Sequence, residues 1–85
     1  MHGDRLITRQ ALCMLAGVST SELSLWENER LLEPASMSEA GFGDEVLYDL
    51  AALRRARLIR VLSEDLGVNL PGIDVILNLL EEIAG

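Results

Sequence analysis

The apolar residues of the chain fall into four segments whose spacing is that of amphipathic helices. The first predicted helix covers residues 9–16. Thr8 precedes it as a candidate N-cap, and Gly17 follows it, where a left-handed residue can end a helix. Cys13 lies among the apolar residues of this segment and is interpreted as a small packing residue.

The second segment carries the clearest local signal in the chain. Ser19 and Glu22 have the spacing of a capping box, which predicts a helix over residues 20–28. Leu23 and Trp26 would be on its buried side. The segment therefore predicts a short helix directly after a tight turn.

Two longer helices are predicted in the second half of the chain. Residues 35–48 are rich in glycine, serine and acids and predict a loop or a small hairpin. A third helix is then expected over 49–66 and a fourth over 69–84, with Asn69 as its cap and Pro71 tolerated in its first turn. Five residues are expected to form the core side of the third helix: Leu50, Leu53, Leu58, Val61 and Leu62.

The fourth helix has more apolar surface than a terminal helix of a small domain needs. Burial in the core is the simpler interpretation, and it is preferred for Leu70, Ile73 and Leu77. A contact between two copies of the chain would explain the residues towards the edge of the stripe. The predicted homodimer interface consists of Val75, Ile76, Leu79, Leu80 and Ile83.

Composition limits the classes of function. The 85 residues predict one domain over 1–85, and 49% of them are hydrophobic despite a net charge of -7. A membrane-spanning run and a signal peptide are not evident, which predicts a cytoplasmic protein. One cysteine, Cys13, and one histidine, His2, offer neither a metal cluster nor a Cys/His catalytic pair. We therefore expect no cofactor, no metal and no enzymatic activity.

Charge is unevenly distributed along the chain. All seven basic residues are arginines, and four of them lie within residues 54–60, a window without acids. They could form a phosphate-binding patch or pair with the acids of the domain itself. Arg60 and Glu64 have i,i+4 spacing, and internal pairing is the favoured interpretation. The remaining surface is expected to be mainly negative.

The run "LITRQALCMLAGVSTSELSLWENERLLEP", residues 6–34, resembles the start of a MerR-type winged helix-turn-helix. Residues 48–62 resemble the arginine-rich helix that follows in that family. The resemblance implies an all-α fold of about four helices, with a helix-turn-helix at 6–34 and a wing at 35–48.

The chain departs from that pattern where the family contacts DNA. Ser21 and Ser24 occupy the two positions at which DNA-binding members have arginine, and the wing has Gly43, Asp44 and Glu45 in place of a Gly-Tyr-Arg sequence. Lysine and arginine contacts to phosphates supply most of the sequence-independent affinity for DNA. We therefore expect little DNA binding by this face.

The segment "DLGVNLPGIDVILNLLEEI", residues 65–83, is similar to the chaperone-modulator family CbpM and to the heat-shock repressor HspR. The first resemblance implies a protein that binds the J-domain of a DnaJ- or CbpA-like co-chaperone and restrains its stimulation of DnaK. The alternative is a DNA-binding transcriptional repressor of the MerR or HspR type. An acidic surface fits the basic second helix of J-domains, which favours the first.

The second helix supplies the expected contacts with this partner. Leu25 points away from the core in the predicted helix and is a candidate hot spot. Trp26 could anchor a partner, although packing in the core is preferred for it. A solvated acidic face is the alternative for the glutamates. The predicted partner-binding residues are Leu25, Trp26, Glu27, Glu29 and Glu33.

Overall fold

A computed structural model describes residues 6–37 and 46–84. The predicted wing residues Gly43, Asp44 and Glu45, together with His2, lie outside the described residues. In chain order the elements are β1 (Ile7–Thr8), α1 (Arg9–Ala16), α2 (Thr20–Asn28), β2 (Ser36–Met37), β3 (Val46–Tyr48), α3 (Leu50–Arg60), a π-helical turn (Val61–Asp65) and α4 (Leu70–Ala84). The mostly helical fold with four α-helices agrees with the predicted class.

A small antiparallel sheet joins the ends of the helix-turn-helix to α3. Its strand order is β1-β3-β2, with Ile7 opposite Tyr48 and Ser36 opposite Leu47. The pairing of β2 with β3 confirms the hairpin that was one of the two expectations for this segment. The sequence did not predict β1, because a two-residue strand is too short to show an alternating pattern.

The predicted helix starts are confirmed by side-chain caps. The Thr8 hydroxyl accepts a hydrogen bond from the Ala11 amide at 3.1 Å, and the Asp49 carboxylate accepts one from Ala52 at 2.9 Å. The Asn69 side chain accepts another from the Gly72 amide at 2.9 Å. Each cap satisfies an amide that has no partner within its helix.

The predicted third helix is α-helical only as far as Arg60. Residues 61–65 form a π-helical turn, which ends at Leu66 with a hydrogen bond from its amide to the Val61 carbonyl, 3.2 Å long. Gly67 follows with φ 69°, the left-handed conformation expected of a helix stop. This wider turn precedes the connection to α4.

The core lies between α1, α2, α3 and the first half of α4. The buried face of α3 differs from the predicted one: Leu53 and Leu62 are buried, and Leu58 packs against the core from its edge. The prediction was wrong for Leu50 and Val61, whose side chains are 50% and 43% exposed. The residues that α3 buries are Ala52, Leu53, Ala56 and Ile59, and Leu62 in the π-helical turn adds to them. Two of these four α3 residues are alanines, whose small side chains leave room for neighbouring elements to pack closely against the helix.

The fourth helix buries one side only. Ile73 and Leu77 are in the core, while Leu70 and Ile76 are half-buried against it. Ile76, which was predicted to be an interface residue, is thus partly covered by its own domain. Val75, Leu79, Leu80 and Ile83 are exposed. Among the described residues, none of the helices is both long and apolar enough to cross a membrane.

Candidate functional site

The exposed face of α2 is the candidate site, and its geometry begins at the capping box. The Ser19 hydroxyl accepts a hydrogen bond from the Glu22 amide at 3.1 Å, and the Glu22 carboxylate accepts one from the Ser19 amide at 3.2 Å. The box confirms the predicted start of the helix. Glu22 is therefore used locally to hold the first turn of α2.

Glu27 faces inward and is held by two other elements. Arg9 donates to both of its carboxylate oxygens, from Nε and Nη2, at 2.9 Å each. The hydroxyl of Tyr48, a buried residue, donates to the same carboxylate. Arg9 also donates to the Ser24 hydroxyl at 2.8 Å. This cluster ties α1, α2 and β3 together.

The cluster shifts the ionisation of its members. Burial opposes the charge of Glu27, but the hydrogen bonds from Arg9 and Tyr48 outweigh it and hold the pKa of the carboxyl below its usual range. Burial, followed by the hydrogen bond to Glu27, raises the pKa of Tyr48 above its ordinary value. Glu27 is thus an ionised structural group at neutral pH.

Two of the predicted partner-binding residues are therefore not free surface groups. Trp26 is 2% exposed and packs in the core, which agrees with the preferred interpretation of this residue. Glu27 is engaged by Arg9 and Tyr48. The sequence pattern did not reveal these partners, because they lie 18 and 21 residues away along the chain.

The other three residues of that set are at the surface. Leu25 is 46% exposed, and Glu29 and Glu33 are exposed as well. Ser21 and Leu25 are four residues apart on one side of α2, and Glu29, the C-cap of the helix, continues this spacing. The exposed line on α2 therefore contains a hydroxyl, an apolar side chain and a carboxylate.

A cleft of about 490 Å³ opens next to the end of α2, between the segment 30–33, the start of α3 and α4. Its acids are Glu33, Asp49, Asp74 and Glu81. Asp49 caps α3, and Glu81 accepts a hydrogen bond from Arg55 at 2.7 Å. Glu33 and Asp74 remain as exposed carboxylates on its walls. Arg30 and Arg55 also line the cleft, and Arg55 is paired with Glu81, so the part suited to a basic group is the one formed by Glu33 and Asp74.

This cleft was not predictable from the spacing of residues along the chain. A signal for its α4 wall exists, since Asp74, Asn78 and Glu81 have i,i+4,i+7 spacing and share one polar side of the helix. The opposite wall depends on where the chain turns after α2. Arg30 adopts a left-handed φ of 62° there, which redirects the backbone towards α3.

The arginine cluster of α3 is largely used within the domain. Arg55 pairs with Glu81 at 2.7 Å, and Arg60 approaches Glu64 at 3.5 Å, as the favoured interpretation expected. Arg57 donates to the Leu15 carbonyl from Nε and Nη2, at 3.3 and 3.2 Å. Arg55 reaches α4, whereas Arg57 and Arg60 lie against the end of α1, so the four arginines do not form one phosphate-binding patch.

Cys13 is 6% exposed and belongs to the core, as predicted. Burial raises the pKa of its thiol, which disfavours the reactive thiolate. Within residues 6–37 and 46–84, the structure contains no group of three or more potential ligands that could hold a metal ion.

A family model described as MerR HTH family regulatory protein matches residues 7–85 of the chain. The matched family is one of regulatory proteins rather than enzymes. A search of curated proteins found no match.

Proposed function

The chain belongs to the MerR HTH family of regulatory proteins, and from this premise we propose that it regulates by binding a protein. The proposed partner is the J-domain of a DnaJ- or CbpA-like co-chaperone. Binding would restrain the stimulation of the DnaK chaperone by that domain.

The observation that carries the proposal is the chemistry of the exposed line on α2. Ser21, Leu25 and Glu29 offer no cation to a phosphate, although DNA binding depends on such contacts. Arg9, which contacts α2 from the adjacent helix, is bound to Glu27 and Ser24. A duplex approaching this face would meet a carboxylate and an apolar side chain.

The same surface suits a basic protein. Exposed Glu29 and Glu33, with Asp74 across the cleft, give carboxylates that can pair with lysine or arginine. The chain has a net charge of -7, which would steer a cationic partner towards it. Leu25, exposed one helical turn before Glu29, supplies an apolar contact next to these acids, and such a residue can act as a hot spot.

The proposed mechanism is occlusion. A J-domain would bind α2 through its basic second helix. The protein would then cover the surface of the J-domain that DnaK needs. Inhibition would then require no chemical step and no cofactor. It would increase with occupancy of the J-domain and decrease with salt, because the contact is mainly electrostatic.

Titration of a labelled J-domain with the protein at about 100 mM salt tests the proposal, with DnaK ATPase stimulation as a second readout. We expect Leu25→Ala to weaken binding about tenfold, which is about 1.4 kcal/mol. Leu66→Ala, also an exposed leucine, is the matched control and should have no effect.

The charge contribution is tested in the same assay by Glu29→Lys and Glu33→Lys. Both should slow association and reduce its salt dependence, while Asp65→Lys makes the same charge change elsewhere and should have a smaller effect. A parallel titration with promoter DNA tests the alternative, a repressor of the MerR or HspR type. Micromolar DNA binding without any response to a J-domain would refute the proposal in favour of that alternative.

The exposed side of α4 supports a second element of the proposal, a homodimer. Val75, Leu79 and Ile83 are exposed at successive i,i+4 positions, with Leu80 beside them. Two such stripes packed together would remove this apolar surface from water. Sedimentation should show a dimer that Leu79→Glu converts to a folded monomer; a monomeric wild-type protein at about 100 μM would exclude the dimer.

A further inference from the structure

A second surface, on α3 and α1, combines exposed apolar residues with arginine. On α3, Leu50, Arg54 and Arg57 are exposed, and Val61 is exposed where the π-helical turn begins. Their spacing of four, three and four residues confines them to about 60° of the helix circumference. They therefore form one stripe, apolar at each end and cationic in the middle.

The end of α1 extends this stripe sideways. The hydrogen bonds from Arg57 to the Leu15 carbonyl place Leu15 directly beside the stripe. Met14 and Leu15 are 82% and 50% exposed. We call the combined surface the α1–α3 patch; it consists of Met14, Leu15, Leu50, Arg54, Arg57 and Val61.

The charge of the α1–α3 patch differs from that of the rest of the domain. Arg55 and Arg60 have carboxylate partners, Glu81 and Glu64, whereas the Arg57 guanidinium is held by a neutral carbonyl. Its positive charge is therefore held in a fixed orientation, and within residues 6–37 and 46–84 it forms no ion pair. Residues 50–63 contain no acid. The patch is locally cationic on a chain whose net charge is -7.

We propose that the α1–α3 patch binds an acidic amphipathic helix of a partner protein. The stripe is about 16 Å long, since α3 rises about 1.5 Å per residue, and this matches three turns of a second helix. Two carboxylates in the middle of that helix would pair with Arg54 and Arg57, and guanidinium groups bind carboxylates in a two-point geometry. Apolar residues at its ends would cover Leu50 and Val61.

The apolar residues distinguish this ligand from nucleic acid. Four of the six residues of the patch are apolar. Contact with a phosphate backbone would not stabilise these apolar side chains, whereas contact with an apolar helix face would remove them from water. The charge is also opposite to that of the α2 surface, so this partner differs from the one proposed above. The two proposals can fail independently.

A designed peptide probes the patch directly. The probe is a capped, fluorescent, alanine- and glutamine-based helix with two leucines eleven residues apart and glutamates four and seven residues after the first. Its anisotropy is measured with the full chain at about 50 mM salt, where charge pairing is weakly screened. We expect saturable binding with a Kd below about 1 mM.

The variants must separate the patch from general electrostatics. Arg54→Glu and Leu50→Ala should each weaken peptide binding at least about fivefold, and glutamine in place of the two peptide glutamates should do the same. Arg30→Glu makes the same charge change at an exposed arginine outside the patch and should leave the Kd within about twofold. Circular dichroism verifies that each variant is folded.

Three results would overturn the proposal. One is the absence of saturation up to about 1 mM peptide. Another is binding of a DNA duplex that depends on Arg54 and Arg57 while the peptide does not bind. The third is a change of oligomeric state in Arg54→Glu, which would assign the patch to a contact between copies of this chain.

Discussion

Replacing Glu27 by alanine removes the carboxylate on which α1, α2 and β3 converge. The substitution abolishes both hydrogen bonds from Arg9 and the one from Tyr48. It leaves the rest of α2 intact, because Glu27 has no part in the capping box. The predicted effect is a loss of stability without a change of fold.

The magnitude follows from what happens to the two former donors. The Arg9 side chain is 32% exposed, so its guanidinium can bind water after the substitution, and the lost ion pair costs at most about 1 kcal/mol. Tyr48 is a buried residue, so its hydroxyl loses its partner at a cost of about 1–3 kcal/mol. The expected total is about 1–4 kcal/mol. A domain of this size has only about 4–13 kcal/mol of stability.

Urea denaturation followed by circular dichroism measures this loss. Glu29→Ala, two residues further along and exposed, should change the free energy of unfolding by less than about 0.5 kcal/mol. Tyr48→Phe removes the hydroxyl that Glu27→Ala leaves unpaired, so the double variant should lose at least about 1 kcal/mol less than the sum of the single variants. Additive effects, or a loss below about 0.5 kcal/mol in Glu27→Ala, would refute the structural role given to the cluster.

Further predictions concern pH, capping and the core. The pKa of Glu27 is lower in the folded state than in the unfolded state. Its contribution to stability should therefore be complete above its unfolded-state pKa of about 4.3 and be lost as the pH falls through the folded-state value. In urea denaturation, Glu27→Gln should reduce this loss of stability at acid pH. The raised pKa of Tyr48 predicts that its contribution to the free energy of unfolding is complete below about pH 10 and is lost as the pH rises through the folded-state value. If Tyr48→Phe left the loss of stability at alkaline pH unchanged, this prediction would be contradicted. Ser19→Ala should cost about 1 kcal/mol in thermal melts, whereas Ser19→Asp should retain most of the cap; equal losses would argue against capping. Ile59→Ala should lower the free energy of unfolding by about 2–5 kcal/mol, and Leu50→Ala should lower it by less than about 0.5 kcal/mol. A larger loss for Leu50→Ala than for Ile59→Ala would show that Leu50 belongs to the core, as the sequence predicted.

The helix starts were predictable because their signals are local. Thr8, Ser19, Asp49 and Asn69 each cap a helix through an amide three residues ahead, a distance that the backbone of the first turn sets by itself. Gly17 needs only its own φ of 74° to end α1. Such features require no knowledge of the rest of the fold.

The candidate site was predictable only in part. Leu25 was correctly placed at the surface, because Leu23 and Trp26 fix the buried side of α2. The acidic cleft was not predicted, since its walls come from three separated segments that meet only after folding. The true partners of Glu27 were missed for the same reason.

The amino-acid sequence by itself determined where the helices begin, the acidic character of the chain and the lack of cations on the exposed side of α2. Only the tertiary structure decided which side of α3 is buried. The larger apolar side chains favoured Leu50 and Val61 as core residues, but the folded domain buries Ala52 and Ala56 and leaves Leu50 and Val61 exposed. Close packing between helices depends on the shapes of both surfaces, which the pattern of one helix does not contain.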